Sequence, residues 1–130
     1  MSRFVVLFHE LSPDGLRTSH WDFMVEHNAA LLSWALPAPP WEVYEQTCSR
    51  LADHRIDYLQ IEGPISGDRG HVTRLDCGTA SELSVSADRC AMRLLGTLLS
   101  GTVVLERINQ DGDAHTQWHW SYMPDIIKGA

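Results

Sequence analysis

The sequence predicts a mainly β fold, a compact closed antiparallel β-barrel with one amphipathic helix covering an end. Three observations carry this expectation. Stretches suited to short strands recur at 3–9, 20–26, 29–36, 58–62, 70–76, 81–86, 89–95, 101–108 and 116–122. Turn signals separate them, among them Ser12-Pro13-Asp14-Gly15, His27-Asn28, Ser66-Gly67-Asp68-Arg69-Gly70, Ser86-Ala87-Asp88, Ser100-Gly101 and Asp111-Gly112-Asp113. One segment alone follows a helical period. Many short strands with a turn every ten residues or so suit a closed barrel or a sandwich.

The elements follow in order. Arg3-Phe4-Val5-Val6-Leu7-Phe8-His9 is a first strand rather than a signal peptide, because its apolar run is short and stops at His9. Ser19-His20-Trp21-Asp22-Phe23-Met24-Val25-Glu26 is a second strand with its polar chemistry on one side. Side chains alternate faces along a strand, so His20, Asp22, Met24 and Glu26 share one face and Trp21, Phe23 and Val25 the other. His27-Asn28 turns the chain into Ala29 to Leu36, and asparagine tolerates the left-handed conformation such a turn needs. The two strands pair antiparallel, which brings Trp34 near Phe23 or Trp21. Pro39-Pro40 then precedes Trp41, Tyr44, Cys48 and Leu51 at helical spacing. Proline is tolerated in a first helical turn. A helix is expected over 41–52, plugging an open end with Trp41, Tyr44 and Leu51.

The chain of 130 residues is the size of one domain, taken as 1–130. At 44% hydrophobic, with five tryptophans, it can bury a real core. It has no apolar run of about eighteen residues, so no membrane-spanning helix and a cytoplasmic protein are expected. Cys48, Cys77 and Cys90 are scattered and odd in number, which fits reduced thiols better than disulfides. The formal net charge of −7, with ten basic residues in no run, argues against coating nucleic acid nonspecifically. It still allows an enzyme that grips one terminal phosphate through a metal.

An imidazole and a carboxylate two residues apart on one strand face can be offered to one ion. With His9 ending the first strand, two histidines and one carboxylate make a usual set for a divalent transition metal, whether manganese, iron, cobalt, nickel or zinc. The competing reading of His20 and Asp22 is a solvated strand face. His115 and His119, four apart on a strand, lie about 13 Å apart and share no ion. They, His27 and His71 are given no role.

An ordered series of motifs carries a family resemblance. It runs His9, Ser19-His20-Trp21-Asp22-Phe23, Leu32-Ser33-Trp34-Ala35-Leu36-Pro37, Asp53-His54-Arg55-Ile56-Asp57-Tyr58 and Ile61-Glu62-Gly63. The series resembles the 3′-phosphoesterase domain of bacterial DNA ligase D and its small stand-alone relatives. There a strand ending in histidine leads to a His-Tyr-Asp-Phe-Arg strand. A Ser-Trp-Ala-Val-Pro strand, an Asp-His-Pro-Leu-Glu-Tyr segment and a Phe-Glu-Gly follow. The likeness covers about 3–78 and, more weakly, 101–122.

The resemblance implies a β-barrel with a manganese-type site that trims 3′ ends of nucleic acid, removing a terminal ribonucleoside and then a 3′-phosphate. Carried over by motif, His9, His20 and Asp22 are the metal ligands, His54 contacts the scissile phosphate, and Tyr58 lies nearby. The chemistry agrees with those roles. A metal on this set keeps open positions for a phosphate oxygen and for an activated water. An imidazole, titrating near about 6.5, can hydrogen-bond the phosphate or protonate the leaving oxygen. The alternative for His54 is a cap on the helix C-terminus. Glu62-Gly63 is equally a plain turn or a support for the site.

The chain also departs from the family. Met24 stands where the family has arginine, and methionine cannot grip phosphate in a bidentate fork. Ala38-Pro39-Pro40 replaces a family lysine, and Ala52 replaces a glutamate. The gap from His9 to His20 is longer than the family's and contains Arg17, a candidate for the missing phosphate-binding cation. Three functions fit: a metal-dependent phosphoesterase on nucleic acid 3′ ends in DNA repair; a degenerate metal-binding or repair-complex module; or a phosphoesterase acting on a small phosphorylated metabolite. The partners expected are a nucleic acid 3′ end and DNA repair proteins. The protein is taken as a monomer.

Overall fold

A computed structural model describes residues 1–11, 18–64, 70–108 and 117–126. Its strands are β1 (Ser2–Glu10), β2 (His20–His27), β3 (Ala30–Leu36), β4 (Glu45–His54), β5 (Gly63–Pro64), β6 (His71–Val85), β7 (Arg89–Leu95), β8 (Ser100–Arg107) and β9 (Gln117–Pro124). All pairings are antiparallel, in the order β1-β2-β3-β4-β9-β8-β7-β6, and β6 returns to pair with β1. Eight strands therefore form a closed ring, with the two-residue β5 added on β6. The closed antiparallel sheet expected from the sequence is present. Closure of this kind removes the exposed strand edges that invite aggregation.

Alternation sorts the side chains. Phe4 and Val6 of β1, Phe23 and Val25 of β2, and Trp34 of β3 turn into the ring, where they pack with Leu105, Trp118 and Trp120. Aromatic edges meet faces inside it: Phe23 and Trp120 at 5.0 Å, Trp34 and Trp118 at 5.6 Å. Such pairs add to the stabilisation from area burial alone. Trp34 lies opposite Phe23 in the β2–β3 register, with ring centroids 6.3 Å apart. The alternate residues Val5, Leu7, Met24 and Leu31 point outward and form a second, smaller cluster with Leu59. The β2–β3 turn places Asn28 at φ 51° and Ala29 at φ 65°, both left-handed.

The expected helix over 41–52 is not there: Glu45–His54 is strand β4. The helical spacing of Trp41, Tyr44, Cys48 and Leu51 is overridden by pairing, since β4 fills the gap between β3 and β9. A helix there would leave both neighbours with unpaired backbone groups. The proline pair belongs to a turn, in which Glu42 and Val43 donate their N–H groups to the Pro39 carbonyl. Of the proposed plug, Trp41 packs against the core, Tyr44 is exposed beside Tyr122, and Leu51 lies opposite Ser33 on β3.

The expected strand 58–62 is replaced by a 3₁₀ turn, Ile56–Leu59, the only helix-type element among the described residues. Burying Leu59 on the outer cluster, flanked by Ile56 and Tyr58, lays this segment across the sheet rather than in it. The expected strands 70–76 and 81–86 are one long strand, β6, kinked by irregularities opposite Val6/Leu7 and between Ser81 and Ser84. Buried Asp76 on β6 accepts backbone N–H groups from Cys77, Thr97, Leu98 and Leu99, which fixes the β7–β8 turn. Among the described residues no helix is long and apolar enough to cross a membrane.

Candidate functional site

The β1–β2 register sets His9 directly opposite His20, and Leu7 opposite Asp22. Two-residue alternation keeps His20 and Asp22 on the same outward face of β2. One ligand atom from each of His9, His20 and Asp22 lies within 4.8 Å of the others. His9 Nδ1 is 3.8 Å from Asp22 Oδ2, and His20 Nε2 is 3.0 Å from Asp22 Oδ1. The imidazole rings stand edge to face at 5.1 Å. His20 and Asp22 are buried and His9 is partly so.

Hydrogen-bond chemistry fixes what these atoms present. His20 Nδ1 lies 3.0 Å from the Thr18 carbonyl. A carbonyl only accepts, so Nδ1 carries a proton, and in the neutral ring Nε2 is the nitrogen with the lone pair. Nε2 lies 3.0 Å from Asp22 Oδ1, a buried oxygen without a hydrogen bond among the described residues. An imidazole nitrogen and a carboxylate oxygen this close are joined by a proton on the ring or, once that proton is lost, by a metal cation beside both. Ligands held about 2 Å from a common ion stand roughly 3–4 Å from one another. The donor set, its spacing and the orphaned oxygen all fit a divalent metal. A histidine whose second nitrogen donates to a carbonyl has the usual outer support of a metal ligand.

His54 closes β4 and lies opposite Leu31 on β3. Its Nδ1 is 2.9 Å from Ser33 Oγ, and its ring meets the Tyr58 ring edge to face at 4.8 Å. His54 therefore caps no helix. Ser33 pairs with Met24 in the β2–β3 register, two residues along from Asp22. Met24 is buried in the outer cluster with Val5, Leu7, Leu31 and Leu59. Apolar packing thus occupies the position of the family's arginine. Arg17, the candidate replacement, lies outside the described residues.

Glu62 supports β6 rather than the histidines. Its carboxylate faces the backbone N–H and the guanidinium of Arg74, which also donates to the Leu59 carbonyl. Of the remaining histidines, His71 lies opposite Glu10 on β1 and His27 bonds Asn28, neither joining the cluster, and His119 pairs with Glu45; His115 lies outside the described residues. An open groove of about 660 Å³ runs from His20 past Thr18, Ala35, Thr47, Ser49 and Gln117. It crosses β3 and β4 towards β9, and its described lining holds no lysine, arginine, aspartate or glutamate.

Sequence reasoning did not single out Ser33 or the Thr18 carbonyl. The signal for Ser33 in the sequence was its match to the serine of the family's Ser-Trp-Ala-Val-Pro strand, to which no role was attached. The Thr18 contribution is a backbone group and has no sequence signal.

The profile of the DNA ligase D 3′-phosphoesterase domain matches residues 14–107, well over half of the chain. His20, Asp22, His54 and Tyr58 lie inside the matched span, and the fold brings in His9 from before it. No curated protein matches the chain. The chain belongs to the DNA ligase D 3′-phosphoesterase domain family.

Proposed function

We propose that this chain is a metal-dependent phosphoesterase acting on the 3′ ends of nucleic acid, in DNA repair. The observation that carries the reading is the His9, His20 and Asp22 cluster, whose three ligand atoms lie within 4.8 Å of one another and include a buried Asp22 oxygen 3.0 Å from His20 Nε2. His9, His20 and Asp22 hold the ion, with manganese as the assignment. When bound, such an ion withdraws charge from phosphorus and lowers the pKa of a coordinated water. His54 contacts the phosphate and moves the proton at Nε2. Tyr58 donates its hydroxyl to a phosphate oxygen, and Arg17 supplies the cation that Met24 does not. The uncharged part of the substrate lies in the groove beyond His20. The 130 residues act as a single monomeric domain, a barrel in the cytoplasm, with repair proteins as partners.

A second reading rests on Met24. With apolar packing where the family has a guanidinium, the chain is a metal-holding module of a repair complex without turnover. One experiment separates the two: phosphate release from a duplex primer ending in a 3′-phosphate, with manganese, using His9→Ala and His20→Ala as controls. Release that vanishes in both variants supports the enzyme. No release from metal-loaded protein supports the module. Faster turnover of a 3′-mononucleotide than of the primer would shift the substrate to a small phosphorylated metabolite.

A further inference from the structure

We infer that Ser33 is a positioning residue that sets the tautomer of His54 and so decides which ring nitrogen does its chemistry. Ser33 is fully buried, at 0% exposure. Its hydroxyl has one proton, which it donates to the Leu31 carbonyl at 3.1 Å. His54 Nδ1 stands 2.9 Å from the same oxygen. A serine oxygen donates once and accepts through its lone pairs. With its proton on Leu31, Ser33 satisfies His54 only by accepting, so Nδ1 is the N–H nitrogen. The result is a chain, His54 Nδ1–H to Ser33 Oγ–H to the Leu31 carbonyl, in which each bond polarises the next.

The backbone is built to make this contact. Leu31 pairs with His54 and Ser33 with Leu51, so β4 spends three steps where β3 spends two. That extra residue is a bulge, a device that re-aims a side chain. It turns the His54 ring onto Ser33, and the Tyr58 ring packs edge to face with it at 4.8 Å. The neutral ring then offers a lone pair at Nε2. The imidazolium offers Nε2–H, with the bond from Nδ1–H to Ser33 unchanged in both states. Proton exchange at one nitrogen therefore requires no rearrangement at the other.

The functional consequence rests on the phosphoesterase reading, but the tautomer does not. The deciding measurement is long-range ¹H–¹⁵N correlation spectroscopy on metal-free, histidine-labelled full chain, at a pH where imidazoles are neutral. His54 is assigned by its loss in His54→Gln. The expected result is an Nδ1–H pattern for His54 in the wild type and a shift towards Nε2–H in Ser33→Ala. Ser33→Thr, which keeps the hydroxyl, restores the wild-type pattern. An Nε2–H pattern in the wild type overturns the inference without needing any variant to fold. An unchanged Nδ1–H pattern in folded Ser33→Ala overturns it too. In the turnover arm, Ser33→Ala is expected to lower kcat about tenfold or more with KM little changed, because it disorders a proton-transfer group. Absence of turnover in the wild type would count against the phosphoesterase reading alone, and the spectra would still decide the tautomer.

Discussion

Two imidazoles here have their proton positions assigned by a neighbour: His20 by the Thr18 carbonyl, His54 by Ser33. Both arrangements leave Nε2 to act. Asp22 meets this geometry with a buried oxygen that has no hydrogen bond among the described residues and lies 3.0 Å from His20 Nε2. An unsatisfied buried carboxylate is costly to fold around, and a site kept for function commonly carries such a cost. The sign of a substitution follows. Without metal, Asp22→Asn should be at least as stable as the wild type, because the amide removes a buried charge and adds a donor. With manganese at about a hundred times its Kd, the wild type should gain about 2.7 kcal/mol, and Asp22→Asn should lose most of that gain. Thermal melts in manganese and in chelator check both halves. Equal metal-induced shifts in the two proteins would remove Asp22 from the site. The shared face of His20 and Asp22 was legible in the sequence, because alternation is local. That His9 stands opposite His20 was not, because register is set by partners far along the chain. Ser33 escaped notice because one hydroxyl in an apolar strand looks like packing until its neighbour across the bulge is known.

Strands β1 to β3 were legible because each is a short apolar-rich run bounded by turn residues, and the turn at Asn28 announced itself through a residue that tolerates the left-handed region. Strand β4 was not. Only Cys48 along it is fully buried, so its pattern carries little period-two signal, and four apolar residues fall by coincidence at helical spacing. What makes it a strand is demand from both sides, β3 and β9, which no local window contains. The β2–β3 turn also stores a correctable cost. Ala29 adopts φ 65° at an exposed position, a region that costs a residue with a side chain about 1–2 kcal/mol. Glycine enters it freely, and in exchange loses more freedom on folding, by about 0.5–1 kcal/mol. Ala29→Gly should therefore stabilise the protein by roughly 0.5–1 kcal/mol, the difference of the two. This corresponds to a Tm higher by a few degrees, with phosphate release unaltered. A Tm that stays or falls would mean the turn relaxes in solution to a geometry alanine accepts.

A closed ring has a mechanical consequence for the whole molecule, because none of its eight strands can leave without breaking two pairings. The three free thiols report on this. Cys77 is exposed, while Cys48 on β4 and Cys90 on β7 both face the ring's interior. Burial pushes the Cys48 thiol up to about 12 and the Cys90 thiol to about 11, the latter eased slightly by Arg50. Thiolate is the reactive form, so at mildly alkaline pH neither interior thiol reacts from the native state even if a reagent brushes past it. Reaction must wait for opening. If the ring opens only as a unit, Cys48 and Cys90 should react with a disulfide reagent at one common rate, slower than Cys77 by a factor near the unfolding equilibrium constant. Urea should accelerate both with the same dependence as global unfolding. Mass spectrometry of partly labelled protein makes the test sharp: cooperative opening modifies Cys48 and Cys90 in equal proportion among the two-label molecules. An excess of Cys48 over Cys90 among the two-label molecules would show β4 detaching ahead of the rest. The ring would then be a seven-strand body with a loosely held gate beside the metal-site face, and His54, at the end of β4, would move with it.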